Sequence, residues 1–570
     1  MDNNISSIIW NMKYRLKSFD GKIVDKTVED TWRRVSSALA SRERNKKYWK
    51  NIFYNSLTNF QLIPAGRISR GAGTHQKVTL INTFVMGMVP DNLEGILQNF
   101  KESALTLSYG GGIGCNFSEV RPKGAYISGI EAASVGPITF MEMWDQLCKG
   151  LVLGGLRRGA MMAMLRCDHP DIDAFIEAKK IKGELNKFNM SVLITDNFMN
   201  AVKKNKEWNL VFEEKVYKTI RARDLWKKIM NMTYEYSEPG VLFIDRINSK
   251  NKLSYCEEIV GTNSCGELPL PEYGCCPLGS VNLTKLIENP FTSEAKLNVK
   301  QFKHLTEVGI RLLDNVLDLS KYPLSQQRIE AKNKRRIGLG ITGLADALIM
   351  CRVLYGSKKS LELLEEWLRI FRHTSYETSI QLAKERGQFP LLNRDQFVSK
   401  LKELGIEQDI IEAVKKYGIR NGTLNAIPPT GTTSLYAGNI SSGIEPVYSF
   451  EVNRKILLSN GRHKVIDIND YVYEKYKKVK TNRTKTLPSY FVDMADIKPY
   501  DHLAIQAIAQ RYIDASIAKT INCPTSIRFN VFENIYKEAY KLGCKGCTTY
   551  RASKVRNYVL KSSSKSENDD

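Results

Sequence analysis

The stretch from Thr262 to Leu283 reads TNSCGELPLPEYGCCPLGSVNL, and the rest of the chain is best understood outward from it. Asn263, Cys265 and Glu267 stand at i, i+2 and i+4, so an extended backbone turns all three to one side. Glycines and prolines punctuate the segment, which predicts a loop bearing an amide, a thiol and a carboxylate together. A thiol beside a base is also the equipment of a cysteine hydrolase, but that chemistry needs a histidine partner. The chain has 6 histidines, and none lies near this segment. Taken alone, the loop equally fits a buried cysteine beside a capping glutamate.

Around this segment, short apolar runs alternate with helical patterns. VTLINTFVMGMV, GGGIGCNFS, SVLIT, GVLFI and TLNAI read as strands. DHPDIDAFIEAKK, TEVGIRLLDNVLDL and ADALIMCRV read as helices. Such alternation predicts one large α/β domain, placed at 62–551. Residues 1–61 are expected to be helical. There Thr27-Val28-Glu29-Asp30 has capping-box form, and Trp32, Val35 and Leu39 follow at helical spacing. Residues 552–570, ending in KSSSKSENDD, are expected to form a disordered tail.

Other segments suit nucleotide chemistry. In AIPPTGTTS, Pro428 and Pro429 precede Thr430, Gly431, Thr432, Thr433 and Ser434, a turn able either to receive a phosphate or simply to cap a helix. Gly110 to Gly114 (GGGIG) lets backbone pass close to a ligand, although it is not a dinucleotide fingerprint. Gly154 to Ala160 (GGLRRGA) offers Arg157 and Arg158 to a phosphate or to a structural ion pair.

Taken in order, these segments resemble the ribonucleotide reductase family, in its class II, adenosylcobalamin-dependent branch. The resemblance runs from LIPAGRISRGAGT at Leu62 to GCKGCTTYR at Arg551, through INTFVMG, GGGIGCNFSEVRPKGA, TNSCGE, CCPLGSVNL, KRRIGLGITGLADAL and IPPTGTTSLYAGNISSGIEP. It implies a ten-stranded α/β barrel, two five-stranded halves with a finger loop through the centre, behind a small helical N-terminal region.

Carried over by resemblance, Cys265 is the thiyl-radical cysteine, Glu267 the base for the substrate 3′-hydroxyl, and Asn263 the holder of the ribose hydroxyls. Ser264 departs from the proline common at its position. Pro429 to Ser434 resemble the diphosphate site, and Thr83 and Gly112 are expected beside the substrate. Cys276 matches one of two cysteines that deliver reducing equivalents. The position of the other is Thr83, which leaves Cys115 and Cys275 as candidate substitutes. Gly154–Ala160, with Arg157, Arg158 and Gly159, resembles the first deoxynucleotide effector loop, and Ala178–Phe188, with Lys182, the second. No ATP-binding cone is expected before Leu62.

The resemblance also bears on the radical source. A glycyl-radical motif is absent, and CTTYR at Cys547–Arg551 has one tyrosine where a class I relay needs a pair. Class II chemistry needs adenosylcobalamin, with no metal expected on protein side chains. Cys544 and Cys547 form a C-x-x-C unit suited to a thiol relay or to a structural role. The alternatives are a class I large subunit with a radical-generating partner, and an inert nucleotide- or nucleic-acid-binding protein on the same fold. Expected partners are a ribonucleoside di- or triphosphate, a deoxynucleotide effector, a thiol reductant protein and a second copy in a homodimer.

Composition sets outer bounds. The 570 residues are 42% hydrophobic and 25% charged, the balance of an ordinary globular protein. No signal peptide or membrane span is legible, and 11 cysteines without an export signal read as reduced thiols in the cytoplasm. The net charge of +23 favours polyanionic partners. Its densest patch, Lys475 to Lys485, has few aromatics and reads as a solvated loop with no specific nucleic-acid role.

Overall fold

The computed structural model describes residues 5–129, 131–150, 159–181, 183–457, 463–479, 486–552 and 561–562. Three helices lead: α1 (Ile5–Lys13), α2 (Val28–Ala40) and α3 (Lys46–Leu57). The Thr27–Asp30 capping box forms as expected, and Trp32, Val35 and Leu39 are buried on one face of α2. Beyond α2, Glu43 pairs with Arg311 (3.0 Å) and Arg386 (2.6 Å), tying these helices to α4 (Val299–Leu319) and α5 (Lys358–Arg386) of the large domain. The first helix packs elsewhere. Its Ile5, Ile9 and Trp10, with Tyr14 just beyond, form a separate apolar cluster with Leu435, Tyr436 and Ile468.

After a short strand β1 (Leu62–Pro64), the large domain builds a ring. Strands β2 (Thr83–Val85), β3 (Gly112–Asn116), β4 (Met161–Arg166), β5 (Phe188–Ile194) and β6 (Gly240–Phe243) pair in parallel, in that order. The chain then supplies β7 (Cys275–Cys276), β8 (Leu278–Asn282), β9 (Gly338–Thr342), the segment 424–427, β10 (Thr520–Cys523) and β11 (Gly546–Arg551). Strand β8 is parallel to β9, β9 bridges Asn425, Ile427 bridges Ile517 just ahead of β10, and β10 is parallel to β11. The two halves meet antiparallel, β6 on β11 and β7 on β2. Followed bond by bond, β7 and β8 serve as one strand kinked at Pro277. With isolated bridges at Asn425 and Ile427 between β9 and β10, the strands fall into two five-stranded halves, the arrangement of the ten-stranded α/β barrel that the resemblance implied. Burial on both sides explains the near-continuous apolar runs, the pattern of parallel strands covered by helices.

Two local details go beyond the sequence reading. Lys561–Ser562, in the tail expected to lack structure, add a short antiparallel strand to Glu451–Leu457, because an open strand edge accepts any extended backbone. The rest of the tail after Ala552 lies outside the described residues. The basic patch begins on a helix, Tyr471–Val479, rather than a loop; its Tyr476 and Val472 are buried, and that apolar face overrides the charge pattern.

Candidate active site

The segment Gly261–Leu270 is a finger inside the ring: Gly261–Thr262 pairs antiparallel with Pro269–Leu270, and Asn263 to Leu268 form the tip. Glycines of β3 make room for it. A Cβ on Gly114 would lie 1.9 Å from the Thr262 carbonyl oxygen, and one on Gly112 would meet Ser264 Oγ at 3.3 Å. The backbone that GGGIG lets approach is therefore the finger's own, and Gly112 stands against the finger's flank. Asn189 Nδ2 donates to the Ser264 carbonyl (2.7 Å), Asn116 Nδ2 to the Val260 carbonyl (2.8 Å), and the Ser516 N–H to the Glu267 carbonyl (2.9 Å). These bonds from the surrounding strands pin the tip.

The tip is a turn and not an extended run. The Gly266 N–H donates to the Asn263 carbonyl (3.2 Å), and Gly266 takes φ +82°, a left-handed conformation that costs glycine little. Asn263, Cys265 and Glu267 still line one cavity, of ≈ 360 Å³, with Ser264 and Thr83. Asn263 divides its amide. Its Oδ1 accepts from the Leu268 N–H (3.0 Å) and braces the tip, while Nδ2 is buried with no hydrogen-bond partner among the described residues, a donor held ready for a ligand. Cys265 is the exposed member, and its sulfur lies 3.7 Å from Ser264 Oγ. Glu267 is buried, 2% exposed.

Pro429, Thr430, Gly431, Thr432 and Thr433 form another wall of this cavity. Thr430 takes φ +47°, and its Oγ receives the Gly443 N–H (2.9 Å) while touching Thr342 Oγ and Ser434 Oγ at 3.0 Å each. Thr430 and Ser434 thus spend their hydroxyls on the turn itself. Ser434 lines a neighbouring cavity instead, and exposed Thr432 lines both.

The thiols sort by strand alternation. Cys276 is fully buried; burial raises its pKa, Arg336 opposes that, and the nearby Glu267 carboxylate adds to it. Its cross-strand partner is Thr83. Cys275, one residue earlier, faces the other way, with its sulfur 3.9 Å from the Gln327 carbonyl of the outer helix Ser325–Lys334. Cys115 faces outward too, against Ser103, and burial pushes it up to about 12. Neither candidate substitute reaches the cavity. Cys544 and Cys547 are buried at the last strand β11, Cys544 pushed up to about 12 and Cys547 well above its ordinary value by burial. Among the described residues no three His, Cys, Asp or Glu gather as a metal site.

A larger cavity, ≈ 610 Å³, shares the wall Gly431–Thr432 with the first. Ser441, Ser442, Asn522 and Tyr550 bring hydroxyls and an amide to it, and Asp470 and Glu445 bring carboxyls. Asp470 touches the charge of buried Asp346, whose pKa burial raises to about 7. Its size and mixed lining fit a nucleoside-bearing cofactor arm. The sequence reading missed this cavity, whose residues come from segments far apart in the chain. It also missed Lys13, Arg67 and Arg70, which line the first cavity. The two arginines were visible in GRISRG; Lys13 had no signal. Gly159 precedes β4, whereas Arg157, Arg158 and Lys182 of the expected effector loops lie outside the described residues.

Comparison with known proteins gives a consistent answer. Residues 81–550 match the family model of the ribonucleotide reductase barrel domain, and residues 3–77 that of the ribonucleotide reductase all-alpha domain. The chain is 32% identical over 559 residues to a vitamin B12-dependent ribonucleoside-diphosphate reductase of Thermoplasma acidophilum, covering 94% of this chain and 69% of the relative. It is 30% identical over 576 residues to a protein of the same description from Mycobacterium tuberculosis, covering 96% and 79%. A ribonucleoside-diphosphate reductase subunit alpha of Chlamydia pneumoniae is 29% identical over 482 residues, covering 74% and 45%. Among the described residues no helix is long and apolar enough to cross a membrane.

Proposed function

The chain belongs to the ribonucleotide reductase family, and from that premise we propose that it reduces ribonucleotides to 2′-deoxyribonucleotides with adenosylcobalamin as its cofactor. The observation that carries this reading is the finger tip, where Asn263, Cys265 and Glu267 share one cavity with the Pro429–Thr433 turn.

Asn263, Cys265 and Glu267 have parts that their place on this cavity supports, and Cys276, outside the cavity's lining but near Glu267, has the part that the resemblance implies. Cys265, the exposed thiol of the tip, carries the radical and takes the 3′-hydrogen of the ribose, a homolytic step outside the reach of an acid or base. Glu267 accepts the 3′-hydroxyl proton, Asn263 Nδ2 donates to a ribose oxygen, and the 2′-hydroxyl leaves as water. Cys276 supplies a hydrogen atom to the product side, and Cys265 finally returns its own. The net reaction consumes two thiol hydrogens and leaves a disulfide. With Thr83 opposite Cys276, the second thiol comes from a reductant that enters the barrel, either a small thiol or a thiol protein.

Adenosylcobalamin, when bound, supplies by homolysis of its cobalt–carbon bond the radical equivalent that Cys265 carries. Ser441, Ser442, Asn522 and Tyr550 are the residues that would hold its nucleoside arm, since their cavity adjoins the substrate's. The Gly154–Ala160 and Ala178–Phe188 loops are assigned to a deoxynucleotide effector at a homodimer interface, and the cytoplasm is the setting that suits the chain's thiols. The helical region is taken to end at 61 and the barrel domain to run over 62–551.

The deciding assay measures CDP and CTP turnover with and without adenosylcobalamin, under air and under argon. Turnover in both atmospheres, only with the cofactor and without another protein, is expected. Turnover that needs a second, metal-containing protein and ignores the cofactor would place the chain with the class I large subunits.

A further inference from the structure

The N-terminal region does more than pack. Its first helix ends at Lys13, and Lys13 lines the cavity of Cys265 together with Arg67 and Arg70 of the short helix Gly66–Gly71. Against these three cations the same cavity sets one carboxylate, Glu267, at the finger tip.

The cations are placed and not incidental. Tyr14, next to Lys13, packs at 4.7 Å and a 45° tilt on Tyr436, the last residue of the helix that begins at Gly431. A Cβ on Gly66 would come within 3.0 Å of Tyr14 Oη, which locks the two N-terminal elements together. Arg70 Nη1 donates to the Lys13 carbonyl (3.3 Å), joining the two cationic residues through backbone. The Arg67 guanidinium lies where a Cβ on Gly110 would fall, 2.3 to 2.5 Å from its atoms, so the first glycine of GGGIG is the seat of this arginine.

Arg70 is half-buried, and among the described residues it forms no ion pair with a carboxylate. Burial alone lowers its pKa, with no nearby anion compensating. A guanidinium kept partly out of water without an anion is a cost to the fold that an incoming anion would offset. Its planar fork suits phosphate oxygens, and Lys13 adds a point charge.

We propose that Arg70 and Lys13, with Arg67, form an outer phosphate subsite of the substrate cavity, built where the first helix meets the helix Gly66–Gly71 and facing the terminal phosphate of a ribonucleoside diphosphate. The Thr430–Thr433 wall takes the inner part of the diphosphate. The first helix thereby completes the substrate site, and its junction with the helix Gly66–Gly71 reads the length of the phosphate chain. This rests on the reductase reading of the cavity.

The test reads occupancy at Cys265 itself, without turnover. Cys265 in the full-length protein is alkylated with iodoacetamide, its peptide quantified by mass spectrometry, and protection titrated with CMP and CDP. Wild-type protein should be protected by CDP at concentrations about tenfold or more below those of CMP. Arg70→Leu and Lys13→Met should shrink that gap to within about threefold by weakening CDP protection more than CMP protection, and Arg70→Lys should restore part of it. If Arg70→Leu does not fold, Lys13→Met and Arg70→Lys carry the same comparison. A wild-type gap near unity, or variants that keep the full gap, overturns the subsite. Absence of deoxynucleotide product from wild type with cofactor would instead overturn the reductase reading, whatever the protection data show.

Discussion

Thr83 Oγ donates a 2.8 Å hydrogen bond to the carbonyl oxygen of Cys276, its partner across neighbouring antiparallel strands. The pair flanks the finger, where two facing thiols would otherwise close a disulfide at each turnover. Directly opposed residues in such a pair have Cα atoms about 5.5 Å apart, within disulfide range. Thr83→Cys should therefore create an internal reductant. Pre-reduced, desalted variant should yield up to about one deoxynucleotide per chain in a single mix with substrate and cofactor, against well under one for wild type. A stoichiometric wild-type burst would mean that another barrel thiol partners Cys276.

Asp346 stands behind the wall of the second cavity, against Ser441. Its Oδ2 accepts from the Ser441 N–H (3.2 Å), and burial raises its pKa from 3.8 to about 7, with Asp470 alongside. The folded state thus holds a proton that the unfolded state releases above about pH 4, so this group's stabilising contribution is full below that pH and is lost as pH rises through about 7. Asp346→Asn, which stays neutral, should gain about 1–3 °C in apparent Tm over wild type at pH 8 relative to the difference at pH 5. A difference that does not change with pH would show that Asp346 is ionised throughout.

Cys544 and Cys547 sit in the wall and not on a tether. Both are buried, and burial holds both thiols protonated, which suppresses thiolate exchange. The double variant Cys544→Ser/Cys547→Ser should keep more than about half of the multiple-turnover rate with dithiothreitol, and thioredoxin alone should be a poor reductant for the wild type. A double variant that stops after one turnover, beyond rescue by dithiothreitol, would make the pair an essential relay.

The effector assignment predicts a change in choice of base. Adding dTTP, dATP or dGTP should each change which of the four substrates is reduced fastest, by about fivefold or more, the usual range of allosteric coupling. A flat preference across effectors would leave the Gly154–Ala160 and Ala178–Phe188 loops with structural duties alone.

Much of this site was legible because its chemistry is local. Asn263, Cys265 and Glu267 lie within five residues, and the Pro429–Ser434 turn is a contiguous motif. What periodicity could not convey was how three side chains come to one cavity: the i, i+2, i+4 argument assumed an extended strand, whereas the tip turns at Gly266. The glycines after Gly110 were assigned to a ligand because sequence does not reveal that a finger threads the barrel. The TLNAI strand was legible, but its pairing with β9 and with Ile517 depends on ring closure between distant segments. Lys13, on a helix far from any motif, joins the cavity only through tertiary packing, and no spacing rule anticipates that. Thr83 is the opposite case, a departure visible at once in INTF whose meaning needed the strand register that sets it against Cys276.

The most direct test of the account is deoxycytidine diphosphate formation from CDP by this chain alone with adenosylcobalamin and dithiothreitol, wild type beside Cys265→Ser and Glu267→Gln. Wild type should give multiple turnovers only when the cofactor is present. Cys265→Ser should give none above background despite intact CDP binding, and Glu267→Gln should lose about 10²–10⁴-fold. Product from Cys265→Ser, or from wild type without the cofactor, would contradict the account.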